Sequence, residues 1–145
     1  MSSVKKIKET IIKLLLQCSN FSPPNLAYYL LGFNLDNVQN TCFENAGFRG
    51  NPKNCLQSII DILDESLKSR KNGTVCKHHS KLLELCYQLI FVLVSSNQTY
   101  RPVLVYLKSR NDFILRHAST LPFYTESSSK KVNPLVLLKI IYTNL

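Results

Sequence analysis

The apolar positions of this chain recur with steps of three and four residues along most of its length, the period of helix faces turned toward a core. Val4, Ile7, Ile11, Leu14 or Leu15, and Cys18 follow this period with lysines mostly on the other positions, which predicts an amphipathic first helix. The segment "SPPNLAYYLLGF", residues 22–33, reads as a complete short helix. Ser22 precedes a proline and is biased out of the helical region, and Pro24 suits a first helical position, where no backbone hydrogen bond is lost. At the other end Gly32 can take the left-handed conformation, leaving Phe33 to fold back on Tyr28 as in a Schellman ending. A helix from about Pro24 to Leu31 is too short to persist alone in water, so neighbours must cover it on several sides.

Residues 34–50, "NLDNVQNTCFENAGFRG", hold no helical period and two glycines, and predict a long surface loop. Asn51-Pro52 opens a third helix with Cys55 or Leu56, Ile59, Ile60, Leu63 and Leu67 on one face, closed by "SRKNG". Thr74 can cap a fourth, running to about Ser95, whose wide stripe of Leu82, Leu83, Cys86, Leu89, Ile90, Leu93 and Val94 marks it as central. Thr99 and Pro102 start a fifth with Val103, Leu104 and Leu107 inward. Asn111 or Asp112 caps a sixth carrying Phe113, Ile114, Leu115 and Ala118. After the polar break "TESSSKK", Asn133-Pro134 opens a seventh, faced by Leu135, Leu138, Ile141 and Tyr142. The β-branched runs at 90–94 and 140–142 have no hairpin turn beside them, so no sheet is expected.

The expected fold is therefore all-α, about seven helices of unequal length without a consensus repeat, which fits a slice of an irregular α-helical solenoid. Residues 1–145 form one segment of it. A solenoid normally closes on a polar face, whereas "VLLKIIYTNL" still presents an apolar stripe, so the segment is expected to be an internal piece of a longer array. The stripes of the first helix (Ile7, Ile11, Leu14) and of the last (Leu135, Leu138, Ile141) are then expected to lack neighbours.

Composition narrows the function more than the fold. With 145 residues, 45% hydrophobic and 19% charged, the chain has the length and apolar content of one domain with a core, not of a disordered tail. Eighteen lysines and arginines against nine acids give +9, which suits polyanions only if collected on one face. They are spread over the whole length, so a solvated surface is expected and nucleic-acid binding is the alternative reading. Five cysteines are an odd number, and Cys18, Cys55 and Cys86 lie on apolar stripes, as reduced core cysteines do. Asn20, Asn72 and Asn97 match the glycosylation acceptor pattern, but the lysine-bearing amphipathic start is unlike a signal peptide, so these sequons are expected to stay idle. The longest apolar run, 82–94, is shorter than a membrane span and is interrupted by Glu84 and Gln88.

Chemistry is sparse. Cys76, His79 and Cys86 fall near one helix face, yet zinc wants about four converging ligands, usually from paired loop cysteines, and no C-x-x-C pair occurs. A Cys–His nucleophile there would have no activating third group. Asp61 with Glu65, and Asp64 with Lys68, are spaced as neighbours on a solvated helix face. "FRGNPKN" lacks the spacing of a phosphate loop. Tyr28, Tyr29 and "YLKSR" (106–110) mix aromatic and cationic groups, but those aromatics are needed for helix packing. No catalytic, metal or cofactor residue is expected, no cofactor, and no small-molecule substrate.

Three stretches, "SPPNLAYYLLGF", "CLQSIIDIL" (55–63) and "RPVLVYLKSRNDFILRHASTLPF" (101–123), resemble the nucleoporin 205 and nucleoporin 192 family of large inner-ring scaffold proteins of the nuclear pore complex. The blocks occur in the family's order and span most of residues 21–123. The resemblance implies an α-helical superhelix, a structural role in the pore at the nuclear envelope without catalysis, and other linker and scaffold nucleoporins as partners. No partner-binding residue follows from it, and loop 34–50 departs from the family's pattern.

Overall fold

A computed structural model of the chain describes residues 3–43, 53–71 and 80–119. Among them every long regular element is a helix: α1 (Ser3–Cys18), α2 (Leu26–Leu31), α3 (Cys55–Lys71), α4 (Ser80–Ser95), α5 (Tyr100–Ser109) and α6 (Phe113–Ala118), with a 3-10 turn at Val38–Asn40. The expected cap at Thr74 and the seventh helix at 134–142 lie outside the described residues. The others stand where the apolar period puts them.

α4 is the central element, packing on α1, α3 and α5, while α2 bridges α1 to α3 and α6 follows α5. Its seven expected core positions are all buried, Leu85 with them. α3 likewise buries Leu56, Ile59, Ile60, Leu63 and Leu67. On α5 Val103 and Leu107 are buried as expected, and Pro102 and Tyr106 join them. Thr99 precedes α5 but makes no side-chain cap; fully buried, it donates its hydroxyl to the Leu93 carbonyl instead.

The short helix ends as read and begins differently. Gly32 sits at φ 93°, its N–H donates to the Tyr29 carbonyl (3.0 Å), and the Phe33 N–H donates to the Tyr28 carbonyl (2.9 Å), the two bonds of a Schellman ending. Phe33 then meets Tyr28 edge-on at 5.3 Å. The start is at Leu26, not Pro24. Asn25 is the N-cap: its Oδ1 accepts from the Tyr28 N–H at 3.1 Å, a bond no proline can supply, while its Nδ2 donates to the Cys18 and Phe21 carbonyls. α2 is also covered on one face only. Ala27, Tyr28 and Leu31 are buried, whereas Leu26 and Tyr29 are exposed.

Residues 34–43 are not a plain surface loop. They fold around the 3-10 turn, capped by Asn37, and return Val38 and Phe43 to the core. An aromatic chain results: Phe33 meets Phe43 edge-on at 5.0 Å and Phe43 meets Tyr106 at 5.2 Å, tying the end of α2 to α5. The start of α3 differs for the same reason as that of α2. Asn54, not Asn51-Pro52, caps α3: its Oδ1 accepts from the Gln57 N–H (2.8 Å) and its own N–H donates to Gln57 Oε1 (3.0 Å), a reciprocal capping box. Gln57 Nε2 donates onward to the Phe43 carbonyl (3.2 Å), joining the 34–43 segment to α3.

The first helix is where the pattern misleads. Ile12 and Leu15 are its buried residues, while Val4, Ile7, Ile11 and Leu14, four of the residues assigned inward, are 44–60% exposed. The apolar arc of α1 covers about half its circumference, and α4 and α2 occupy only one side of that arc. Ile7, Ile11 and Leu14 are thus left exposed on the outer half of this arc.

Candidate functional site: a polar joint between α3, α4 and α6

Two charged or ionisable residues stand on otherwise apolar stripes. On α3, Asp64 lies between the buried Leu63 and Leu67; on α6, His117 follows Phe113 by one turn. The structure brings them together across 53 residues of sequence, with His117 Nε2 2.9 Å from Asp64 Oδ1. A carboxylate only accepts, so Nε2 carries the proton. The other ring nitrogen, Nδ1, lies at hydrogen-bond distance, 2.7 Å, from the Tyr87 hydroxyl on α4. Phe113 stacks on the imidazole at 4.1 Å, and the ring is 1% exposed.

Arg116 completes the joint with a fork. Its Nη1 and Nη2 donate to Asp64 Oδ1 and Oδ2 at 3.0 and 3.3 Å, while its Nε and Nη2 also donate to the carbonyls of Asn111 and Arg110. Those carbonyls belong to the bend between α5 and α6, where Asn111 and Asp112 hold positive φ. The guanidinium therefore fixes the bend and hangs α6 on α3 at once. Burial by itself pushes the Asp64 carboxyl up, but the hydrogen bonds from Arg116 and His117, with the positive charge beside it, more than offset that and hold it below the usual carboxylate range.

Nearby, Asp61 is bridged by Lys53 at 2.7 Å and by Arg110 at 2.9 Å, so the start of α3 and the end of α5 share one carboxylate. Asp61 and Asp64 thus pair with groups outside α3 and not with Glu65 and Lys68 along their own helix. At about one third exposure the Asp61 pairs contribute little individually; the partly buried Asp64 fork contributes more.

The arrangement ties α3, α4 and α6 together. His117 is enclosed, and its hydrogen bonds run to protein groups on both sides. Of the metal candidates, Cys76 and His79 lie outside the described residues, and Cys86 is fully buried with its thiol pushed up to about 12 by burial, which leaves it protonated and inert at neutral pH. Among the described residues no cluster of three or more His, Cys, Asp or Glu could hold a metal, and no helix is long and apolar enough to cross a membrane. Tyr28, considered for base stacking, is in the core; Tyr29 is exposed; Tyr106 of "YLKSR" is buried and Arg110 is bound to Asp61. The sequence reading missed the joint, although a polar residue on an apolar stripe, as at 64 and 117, is the signal that could have found it.

Arg116 and His117 fall within the block that resembles the large scaffold nucleoporins, and comparison with known proteins decides the matter. Residues 2–133 match the family described as nuclear pore complex scaffold, nucleoporins 186/192/205. The chain belongs to this nucleoporin family. Its relatives include nuclear pore complex protein Nup205 of Homo sapiens, 37% identical over 114 residues, and that of Drosophila melanogaster, 29% identical over 126 residues. These matches cover 78% and 81% of the chain but 6% of each relative's length. The joint of Asp64, Tyr87, Arg116 and His117 lies wholly inside the region of the nucleoporin match.

Proposed function

We propose that this chain is a non-enzymatic scaffold segment of the nuclear pore complex inner ring, a slice of an irregular α-solenoid that contributes to pore assembly and nucleocytoplasmic transport through contacts with other nucleoporins. The observation that carries the reading is the family match over residues 2–133. The geometry supports it, because the polar cluster around Asp64 is spent on fixing how α3, α4 and α6 sit against one another. Holding helices in a set arrangement is what a solenoid slice must do, since each element of such an array depends on its neighbours. Residues 1–145 act on this reading as a single segment of a longer array.

The +9 charge favours a second reading, a module that binds nucleic acid or anionic surfaces. Salt separates the two. A protein that neutralises six or more phosphates loses about 10³-fold or more in affinity between 50 and 200 mM salt. Titration of a fluorescent duplex against the chain at both salts is expected to give weak retention with a shallow slope, while capture of nucleoporins from nuclear extract persists at 150 mM. Tight duplex binding with a steep slope, and no nucleoporin captured, would replace the scaffold reading with the second one.

A further inference from the structure

The exposed apolar stripe of α1 has the spacing of a helix seam. Val4, Ile7, Ile11 and Leu14 are 44–60% exposed and step by three, four and three residues, which is the a and d alternation of a two-stranded coiled coil. Val4 and Ile11 are β-branched at a and Leu14 stands at d, a combination that favours two strands. The half-buried Cys18 and the exposed Phe21 continue the same steps past the end of the helix. Ile12 and Leu15, which face the core, lie to one side of this seam, so a partner helix can occupy it without displacing α4 or α2.

The charges around the seam select its occupant. At about 100° per residue, Lys5, Lys6, Glu9 and Lys13 all lie more than about 100° round the helix from the seam, and Lys5 and Glu9 face each other there at 3.9 Å. The positions beside the seam on its open side are Ser3, Thr10 and Gln17, all uncharged, and the Thr10 hydroxyl donates to the Lys6 carbonyl of its own helix. On the core side stand the buried Leu15 and Lys8. A seam built for a foreign helix carries flanking charges that its partner answers, whereas this one suits an identical helix. In a parallel pair Lys8 falls opposite Ser3 and Thr10 opposite Leu15, so no like charges meet across the contact. The core of each copy then lies on the opposite side of the seam from the other, and the two bodies do not collide. Each copy brings several hundred Å² of exposed apolar surface, which with the flanking polar residues approaches the ~800 Å² per partner of a standard interface.

We propose that two copies of this chain pair in parallel along Val4, Ile7, Ile11 and Leu14 of α1, forming a two-fold dimer that buries the open face. The pairing goes beyond the scaffold reading and does not rest on it. The test is sedimentation velocity of the full 145-residue chain at tens of micromolar, with reductant present so that the exposed Cys42 cannot link copies. The unsubstituted chain is expected to sediment as a dimer. Ile11→Glu should weaken the dimer by about a hundredfold or more, because a charge is then buried at the middle of the seam, with helix content by circular dichroism unchanged. Equal amounts of Ile11→Glu and Ile11→Lys chains should recover most of the dimer on mixing, since residue 11 faces its own copy in a parallel pair. Val105→Glu, on an exposed apolar residue of α5, should leave the dimer intact. The proposal is overturned by a dimer that survives Ile11→Glu, by a mixture that stays monomeric, or by an unsubstituted monomer. In the last case flotation with phosphatidylserine vesicles that Ile11→Glu abolishes would make a lipid surface the occupant, and saturable binding of a glutamate-rich amphipathic peptide would make it a foreign helix.

Discussion

Replacing Asp64 with alanine is expected to destabilise the chain by roughly 2–4 kcal/mol, a large part of the total stability of a domain of this size. The loss is not that of one surface ion pair. His117 would lose the carboxylate that accepts from its buried N–H, and Arg116 would lose both ends of its fork while still bound to the bend at 110–111. The figure lies below that for fully buried pairs because the Asp64 and Arg116 side chains are 22% and 35% exposed and water partly screens them. In thermal unfolding this is on the order of a 10 °C fall in Tm. Asp64→Asn keeps one oxygen to accept from His117 and should fall between the two.

Acid gives the same information without a substitution. Asp64 titrates lower in the folded chain than in the unfolded chain, where a carboxyl of its type has a pKa of about 3.9. Its contribution is therefore complete above about pH 4 and is lost as the pH falls through the depressed folded value. Urea unfolding between pH 6 and pH 2 should show the difference between the parent chain and Asp64→Asn shrinking only at the acid end. A difference that stays constant to pH 2 would mean that Asp64 is not held as an ion by Arg116 and His117.

Gly32→Val is the second large effect, expected at about 2–5 kcal/mol. The left-handed backbone at φ 93° costs a β-branched residue roughly 1–3 kcal/mol by itself. The added carbon would also run into the side chain of Asn54, lying 2.8 Å from its Cγ and closer still to its Nδ2. Asn54 cannot simply turn away, because its Oδ1 caps α3 through the Gln57 N–H. Overpacking of this kind adds about 1–3 kcal/mol, and part of the damage should appear at the start of α3. Hydrogen exchange at Gln57 and Ser58 reads that directly. Gly32→Ala should show most of the same loss, since the Cβ alone makes the clash; stability within 0.5 kcal/mol of the parent for both variants would contradict the geometry of this corner.

What the sequence made legible follows from the range over which each interaction acts. The Gly32-Phe33 ending of α2 is local, four or five residues deep, and was read down to the Tyr28 contact. The faces of α3, α4 and α5 were read from period alone because each has one clear apolar side. α1 resisted this because its apolar arc is twice as wide as the face that α4 and α2 cover, and period cannot say which half is taken. Two helix starts differ from the pattern at the same kind of place. Proline suits a first turn at 24 and 52, but asparagines at 25 and 54 hold the hydrogen bonds that fix the ends. Least legible was the joint at Asp64, whose partners lie 23, 52 and 53 residues downstream on two other helices. Spacing along one helix suggested Lys68 as its neighbour, and only the packed fold supplies Arg116 and His117.

The scaffold role itself is tested most directly in the cell. The 145-residue chain carrying a fluorescent tag is expressed in cultured human cells, the plasma membrane is permeabilised, soluble protein is washed out at 150 mM salt, and the nuclei are imaged beside a pore marker. A segment of the pore scaffold gives a punctate nuclear rim that coincides with the marker and fades in the Asp64→Ala variant. A signal that washes out completely, or one that stays on chromatin and disappears with nuclease treatment, would contradict it.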